Sequence, residues 1–253
     1  MIGPSLAYRP SSSNTWWTGY LKYIQANSVV PDQYTWHLEG GTTDTDNDLQ
    51  TSLSSFNSLR STYGNPSRPI NINEYANFGE QVPSGAAWWI SRLERYDAIG
   101  LRGNWLGGSA LHDYLASLLW KTGSTYYPNG EWQVYKYYKS SMTGQRVQTT
   151  GSTDRLFDVY ATVGDKVRIL SGTRITTGTW AITVKNLSSV GLPTAGNLTI
   201  QTWGFNDKGH QGELDAPTNR GLNTHTYTGN TITFPIYQTT ADKNTAWAFE
   251  FSV

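Results

Sequence analysis

The sequence predicts an α/β portion followed by an all-β portion: a parallel sheet with helical crossovers, then an antiparallel β-sandwich. Two observations predict it. Over residues 1–143, short apolar runs alternate four times with stretches of helical periodicity, as strand-then-helix units of a parallel sheet do. Beyond them, apolar residues recur at every second position between turn signals, as in antiparallel strands. The composition changes at the same place. Residues 1–143 hold eight of the eleven Trp and thirteen of the sixteen Tyr, whereas Thr rises from 11 there to 21 in residues 144–253. The polar stretch 143–153, with Gly144 and Gly151, reads as a linker and sets the expected domains at 1–143 and 144–253.

In chain order, Ile2 to Leu6 is the first apolar run, and Asn14 to Asn27 the first helix, with Trp17, Leu21 and Ile24 on one stripe behind a Ser-Asn cap. Tyr34 to Leu38 is the second run, followed by a helix over Asp46 to Tyr63 with Leu49, Leu53, Phe56 and Leu59 on its apolar face. Pro69 to Glu74 is the third run and Pro83 to Ile99 its helix; Leu101 to Leu106 is the fourth, followed by helical segments over Leu111 to Leu119 and Glu131 to Met142. In the second portion the alternating sets are Val159, Ala161 and Val163; Trp180, Ile182 and Val184; Ile232, Phe234 and Ile236; and Trp247, Phe249 and Phe251. They predict seven or eight half-buried strands.

Composition narrows the partners. Lys plus Arg equals Asp plus Glu at 19 each, which argues against nucleic acid and anionic membrane, both bound through clustered positive charge. No stretch has the eighteen or so consecutive apolar residues of a membrane span. With only 15% charged residues and abundant Trp and Tyr, the surface suits a neutral polar ligand. There is no cysteine, hence no disulfide or thiolate chemistry, and no phosphate-binding loop or Gly-x-Ser-x-Gly elbow. No cofactor and no metal is implied: His210 and His225 lack ligand spacing, and Asp44, Asp46 and Asp48 lack the Gly and Glu of a calcium loop. Those acids instead suit the N-terminus of the following helix. The sequons at Asn186 and Asn197 accord with a secreted protein.

Ligands of such parallel sheets gather at the C-terminal strand ends. Here these ends carry Ser5; Trp36, His37 and Glu39; Asn73, Glu74 and Tyr75; and Trp105. Simple alternation places Glu74 on one face with Ile70 and Ile72, where an unpaired carboxylate is costly. A salt bridge to Arg102 would satisfy it. So would a role as nucleophile in glycoside hydrolysis, which needs one ionised carboxylate and one protonated carboxyl.

The ordered set Gly3-Pro4-Ser5, Trp16-Trp17, Asp32 to His37 and Ile70 to Tyr75 resembles the second half of a clan A glycoside hydrolase, family 39 above all, and Tyr127 to Tyr138 resembles the last barrel helix of such enzymes. The resemblance implies half of a (β/α)8 barrel, strands five to eight, followed by the accessory β-sandwich. It implies a retaining glycosidase of neutral oligosaccharides or polysaccharides, with Glu74 as nucleophile, His37 and Asn73 in the substrate site, and Trp36, Tyr75 or Trp105 as sugar platforms. Two departures stand out. Where the family usually has an aromatic residue two positions after the sixth-strand His, this chain has Glu39, and the family's fourth-strand acid/base has no counterpart in it. Strands six and seven lie about 4.8 Å apart, so Glu39 could approach Glu74 closely enough to act as the acid. A barrel needs about 250 residues, so either a homo-oligomer or an N-terminal half barrel outside this sequence is expected to complete it. A non-catalytic carbohydrate-binding protein or a dimeric half-barrel remnant is the competing expectation.

Overall fold

Strands β1 (Ile2–Leu6), β2 (Gln33–Leu38), β3 (Ile70–Tyr75) and β4 (Ala98–Arg102) form a parallel sheet in chain order, joined by helices α1 (Thr15–Ala26), α2 (Leu49–Thr62) and α3 (Pro83–Arg95). The computed structural model describes residues 1–40, 47–103, 111 and 113–253. The helices begin where the sequence supplies caps. Asn14 accepts hydrogen bonds from the Trp16 and Trp17 backbone N–H groups, and Asp48 accepts from that of Gln50, satisfying donors that a first turn leaves open.

One face of this sheet is covered by helices. Tyr34 and Trp36 on β2 meet Phe56 of α2 at ring separations of 4.8 and 5.2 Å, and Trp17 of α1 lies 5.9 Å from Trp36. Leu93 of α3 packs over Gly100, where a Cβ would lie 2.5 Å from it. Asp48 and Arg92 pair at 3.1 Å in this layer, both almost wholly buried. The pairing register puts the other residues on the helix-free face: Ile2 and Pro4, Gln33, Thr35 and His37, Asn71, and Ile99 with Leu101. Its centre is polar, with Ser5 and Thr35 hydroxyls 2.6 Å apart and Asn71 donating to Gln33 at 3.1 Å. On the outer strands Ile2, Ile99 and Leu101 are exposed by half or more.

The remainder is built on an antiparallel six-stranded sheet, ordered β12-β11-β14-β9-β8-β7, from β7 (Gln145–Arg146), β8 (Phe157–Val163), β9 (Lys166–Thr173), β11 (Gly196–Phe205), β12 (Thr218–Tyr227) and β14 (Ala246–Ser252). The pair β10 (Gly178–Lys185) and β13 (Thr231–Gln238) closes over it, and Phe157, Ile169, Ile200, Phe234 and Phe249 fill the space between the two sheets. The second portion is thus a β-sandwich with the alternation that its sequence announces. Its central strands are not half-buried, however. Tyr160, Leu170, Phe205 and Ala248, on the other face, pack with Ala86, Ala87 and Ile90 of α3 and with Val134 and Tyr137 of α4 (Gly130–Ser140). The positions between the inner apolar residues are therefore also covered.

That second core explains how packing divides the chain. Residues 1–79 with 92–105 form one unit; residues 80–91 with 106–253 form the other. Gly172 on β9 lies so close to the Ser84 carbonyl that a Cβ would approach it to 2.1 Å, and Arg174 pairs with buried Glu80 at 2.8 Å beneath Trp88. Composition alone does not reveal this grouping, because the small residues that permit it carry no compositional signal.

The helix expected over Leu111 to Leu119 does not extend that far. Leu115, Ala116 and Ser117 all take positive φ, ending helical geometry, and the chain enters a hairpin of β5 (Leu119–Thr122) and β6 (Thr125–Pro128). Gly123, at φ 61°, makes the two-residue turn. Among the described residues no helix is long and apolar enough to cross a membrane.

Candidate active site

The site is built by one extra residue. Along β2 and β3 the register runs Trp36 opposite Ile72 and then His37 opposite Glu74, so Asn73 is skipped; against β4 it runs Ile72 opposite Gly100 and then Tyr75 opposite Arg102. Asn73 is therefore a bulge in β3 relative to both neighbours, and a bulge re-aims whatever follows it. Glu74 does not share the face of Ile70 and Ile72, as unbroken alternation would require. It is carried to the helix-free face beside His37, and the apolar row continues instead at Tyr75, which is 4% exposed.

His37, Glu39 and Glu74 meet there. His37 Nδ1 lies 3.1 Å from Glu74 Oε2 and 3.6 Å from Glu39 Oε2. Carboxyl oxygens of Glu39 and Glu74 lie within 4.8 Å of each other. All three side chains keep partial access to solvent. Burial above all, then the charge of Glu74 and the hydrogen bond to it, pushes the Glu39 carboxyl up to about 7. Gly103, at the end of β4, donates its N–H to the Tyr75 carbonyl at 2.7 Å and has no side chain to displace the Glu39 carboxyl. Donor atoms of the three residues lie within 4.8 Å of one another, close enough to contact one small cation.

The other expected site residues separate. Trp36 is wholly buried against Trp17 and Phe56 on the helix side, and Tyr75 is nearly so; neither ring offers a face to a sugar. The reason is parity, since Trp36 precedes His37 and a strand sends successive side chains to opposite faces. Asn73 sits at the bulge with its buried Oδ1 unpartnered among the described residues. Trp105, Asp44, Asp46 and His112 lie outside the described residues. Gly103 belongs to the strand end Gly103-Asn104-Trp105, but the sequence assigns it no role there, because a missing side chain is not a chemical signal.

The arrangement is a carboxylate at the C-terminal end of a parallel strand, held between an imidazole and a second carboxyl. Cavity size alone points elsewhere. A cavity of about 440 Å³ lies by Ile70, at the start of β3 and the opposite end from Glu74.

No protein-family model matches this chain, and no curated protein matches it. Solved structures do. The chain is similar over 99% of its length to a structure of N2152 from Neocallimastix frontalis, with 23% identity and a TM-score of 0.79, covering 60% of that chain. It is similar over 99% of its length to a glucosidase from Croceicoccus marinus (14% identity, TM-score 0.58, 60% of that chain). A xyloglucanase of glycoside hydrolase family 44 from Paenibacillus polymyxa matches all of it (12% identity, TM-score 0.55, 56% of that chain). At these identities the likeness is one of fold. The chain spans about three fifths of the length of each of these proteins.

Proposed function

We propose that this chain is part of a secreted retaining glycoside hydrolase, akin to clan A and family 39, that acts on a neutral glycan with Glu74 as nucleophile. The observation that carries this reading is the Asn73 bulge, which delivers Glu74 to the helix-free face at the strand ends beside His37. A carboxylate so placed can attack an anomeric carbon from one side of a bound sugar. The fold likeness to glycosidases supports it. In this reading residues 1–143 are the second half of a (β/α)8 barrel and residues 144–253 its accessory sandwich. An N-terminal half barrel, or a second copy of the chain, would supply the missing strands and with them the acid that protonates the leaving group.

Mechanism-based trapping tests the nucleophile. A 2-fluoroglycoside with a dinitrophenyl leaving group, which needs little acid assistance, should label Glu74, and Glu74→Gln should abolish both labelling and turnover. Unchanged turnover of the activated glycoside in Glu74→Gln would overturn the assignment.

A second reading is a carbohydrate-binding protein without catalysis. It is favoured by the crowding of Glu39 and Glu74, whose carboxyl oxygens lie within 4.8 Å, closer than the roughly 5 to 5.5 Å that a retaining pair of carboxyls uses. It requires that Glu74→Gln leave glycan affinity intact and that no fluoroglycoside label the chain.

A further inference from the structure

We propose that the β-sandwich carries a separate binding site, for a small neutral saccharide, in the cleft where β12 and β13 part. The site does not depend on the reading of Glu74 given above.

The cleft follows from topology. β12 and β13 are consecutive strands joined by a tight turn, with Thr228 bridging Thr231 and positive φ at Gly229 and Asn230. Beyond the turn they do not pair: β12 is the edge of the six-stranded sheet, and β13 pairs with β10 in the opposite layer. A cavity of about 310 Å³ opens between them, lined in part by Ile200, Phe234 and Phe249 of the sandwich core. That volume lies at the small end of the range of about 300–1,000 Å³ for ligand pockets, which suits a short saccharide.

The inner face of β12 is the wrong kind for sealing a core. Cross-strand register puts His225 opposite Leu198 and Asn223 opposite Ile200, so these two polar residues share the face that the buried leucine and isoleucine turn inward. Tyr227, two positions on, is buried there as alternation requires. A strand that keeps its pattern at one position and then presents imidazole and amide has broken a packing rule, which folded proteins do chiefly at functional sites. Hydrogen bonding makes the same division. On the outer faces, polar side chains satisfy one another across the strands: Thr199 with Thr224 and Thr183 with Thr233, each at 2.9 Å, and Thr226 with Asn197 at 2.7 Å. Among the described residues, the Asn223 amide and the His225 ring have no hydrogen-bond partner; His225 instead lies against Phe234, ring centroids 5.6 Å apart.

Charge selects the ligand class. None of the residues lining the cleft carries a carboxylate, ammonium or guanidinium group. Arg220, over the Trp247 ring at 5.1 Å, is engaged by Asp242 at 3.0 Å. An ionic ligand would therefore meet no counter-charge, whereas Phe234, Tyr237 and Trp247 beside Thr202, Asn223 and His225 suit a sugar, apolar on its ring faces and hydroxylated at its rim. Tyr237 is the most accessible of the three aromatics, at 62%. The other occupant an open edge can take is a further strand. Here β12 is bulged beside Thr202 and Trp203, with Gly221 at φ 97°, and a bulge blunts an edge against pairing.

NMR of the isotope-labelled full chain tests the site, in a Glu74→Gln background so that no turnover consumes the probe. The probes are neutral tetrasaccharides of glucose, xylose and arabinose, with tetragalacturonate as the acidic control. At least one neutral probe should shift the resonances of Asn223, His225 and Tyr237, saturating with a dissociation constant of about 1 mM. Asn223 and Tyr237 are exposed and His225 is half-buried, so substitution there spares the core. Asn223→Ala with His225→Ala, and separately Tyr237→Ala, should each weaken binding by about tenfold with the thermal midpoint held. The proposal is overturned if no neutral probe shifts these residues, if tetragalacturonate binds the cleft more tightly, or if the variants bind as the parent does. Shifts confined to the surroundings of His37 and Glu74 would overturn it and support the proposed function; shifts confined to the cleft would support it and count against that function. A dimer by light scattering whose β12 amides are protected from exchange would make the cleft an edge-pairing surface, and so also overturn it.

Discussion

A Cβ placed on Gly103 would lie 2.5 Å from Glu39 Oε1, inside any permissible contact. Glu39 follows β2 and Gly103 follows β4, the two strands that flank β3, and the absence of a side chain on one leaves room for the other's carboxyl. Gly103→Ala should therefore push the Glu39 carboxyl away from Glu74. The expected result is a lower Glu39 titration point with folding intact; an unchanged carbon-detected titration curve would refute it.

Glu39 also makes stability depend on pH in a defined direction. Its folded value, about 7, stands above the ordinary 4.5, so between these values the folded state binds more protons than the unfolded state. The stabilisation from that proton is fully present below about 4.5 and is lost as pH rises through about 7. In urea titrations of parent and Glu39→Gln across that window, the parent should lose stability relative to the variant as pH rises. Parallel curves would show that the proton is not retained on folding.

Asp48 and Arg92 test the helix layer. The pair is buried and Asp48 also caps α2, so Asp48→Ala removes a cap and takes the carboxylate from the buried Arg92 guanidinium. Losing one partner of a buried pair costs about 3–5 kcal/mol. Removing both charges, as in Asp48→Ala with Arg92→Leu, should recover part of that loss. Chemical denaturation measures both, and a single-variant loss below about 1 kcal/mol would contradict the burial argument.

In the second unit the Tyr137 hydroxyl donates to Glu250 Oε1 at 2.7 Å, and burial raises the Tyr137 ionisation well above its usual range. Tyr137→Phe keeps the ring edge-on to Phe205 but deletes this donor. Lys166 and Arg168 remain near Glu250, at 3.3 and 3.7 Å, so the expected loss is about 1–2 kcal/mol, read from the thermal or urea midpoint.

Much of the fold is legible in the sequence because local and long-range signals agree. Asn14 and Asp48 cap the helices that the apolar stripes of Trp17, Leu21 and Ile24, and of Leu49, Phe56 and Leu59, call for. Elsewhere a signal was present and outweighed: Trp120 with Tyr126 and Tyr127 around Gly123-Ser124 is a hairpin pattern, yet the leucines from 111 to 119 suggest a helix. The site is only partly legible. His37, Glu39 and Glu74 are recognisable as strand-end residues, but their meeting depends on a skipped residue, and nothing in Ile70-Asn71-Ile72-Asn73-Glu74 distinguishes a bulged strand from a regular one. Trp36 looked like a sugar platform for the same reason, because aromatic character does not say which face of the sheet a side chain takes.

The Asn73 bulge places the site under a constraint of counting rather than of chemistry. Removing Asn73 would return β3 to unbroken alternation with Glu74 still opposite His37 and Tyr75 still opposite Leu38, whereas regular pairing with Asn73 in place would rotate the carboxylate into the layer of Tyr34, Trp36 and Phe56, with every functional side chain still present in the chain. Scans that exchange one amino acid for another leave that count untouched, whereas in a library of single-codon deletions the loss of Asn73 should be tolerated better than the loss of its neighbours in β3.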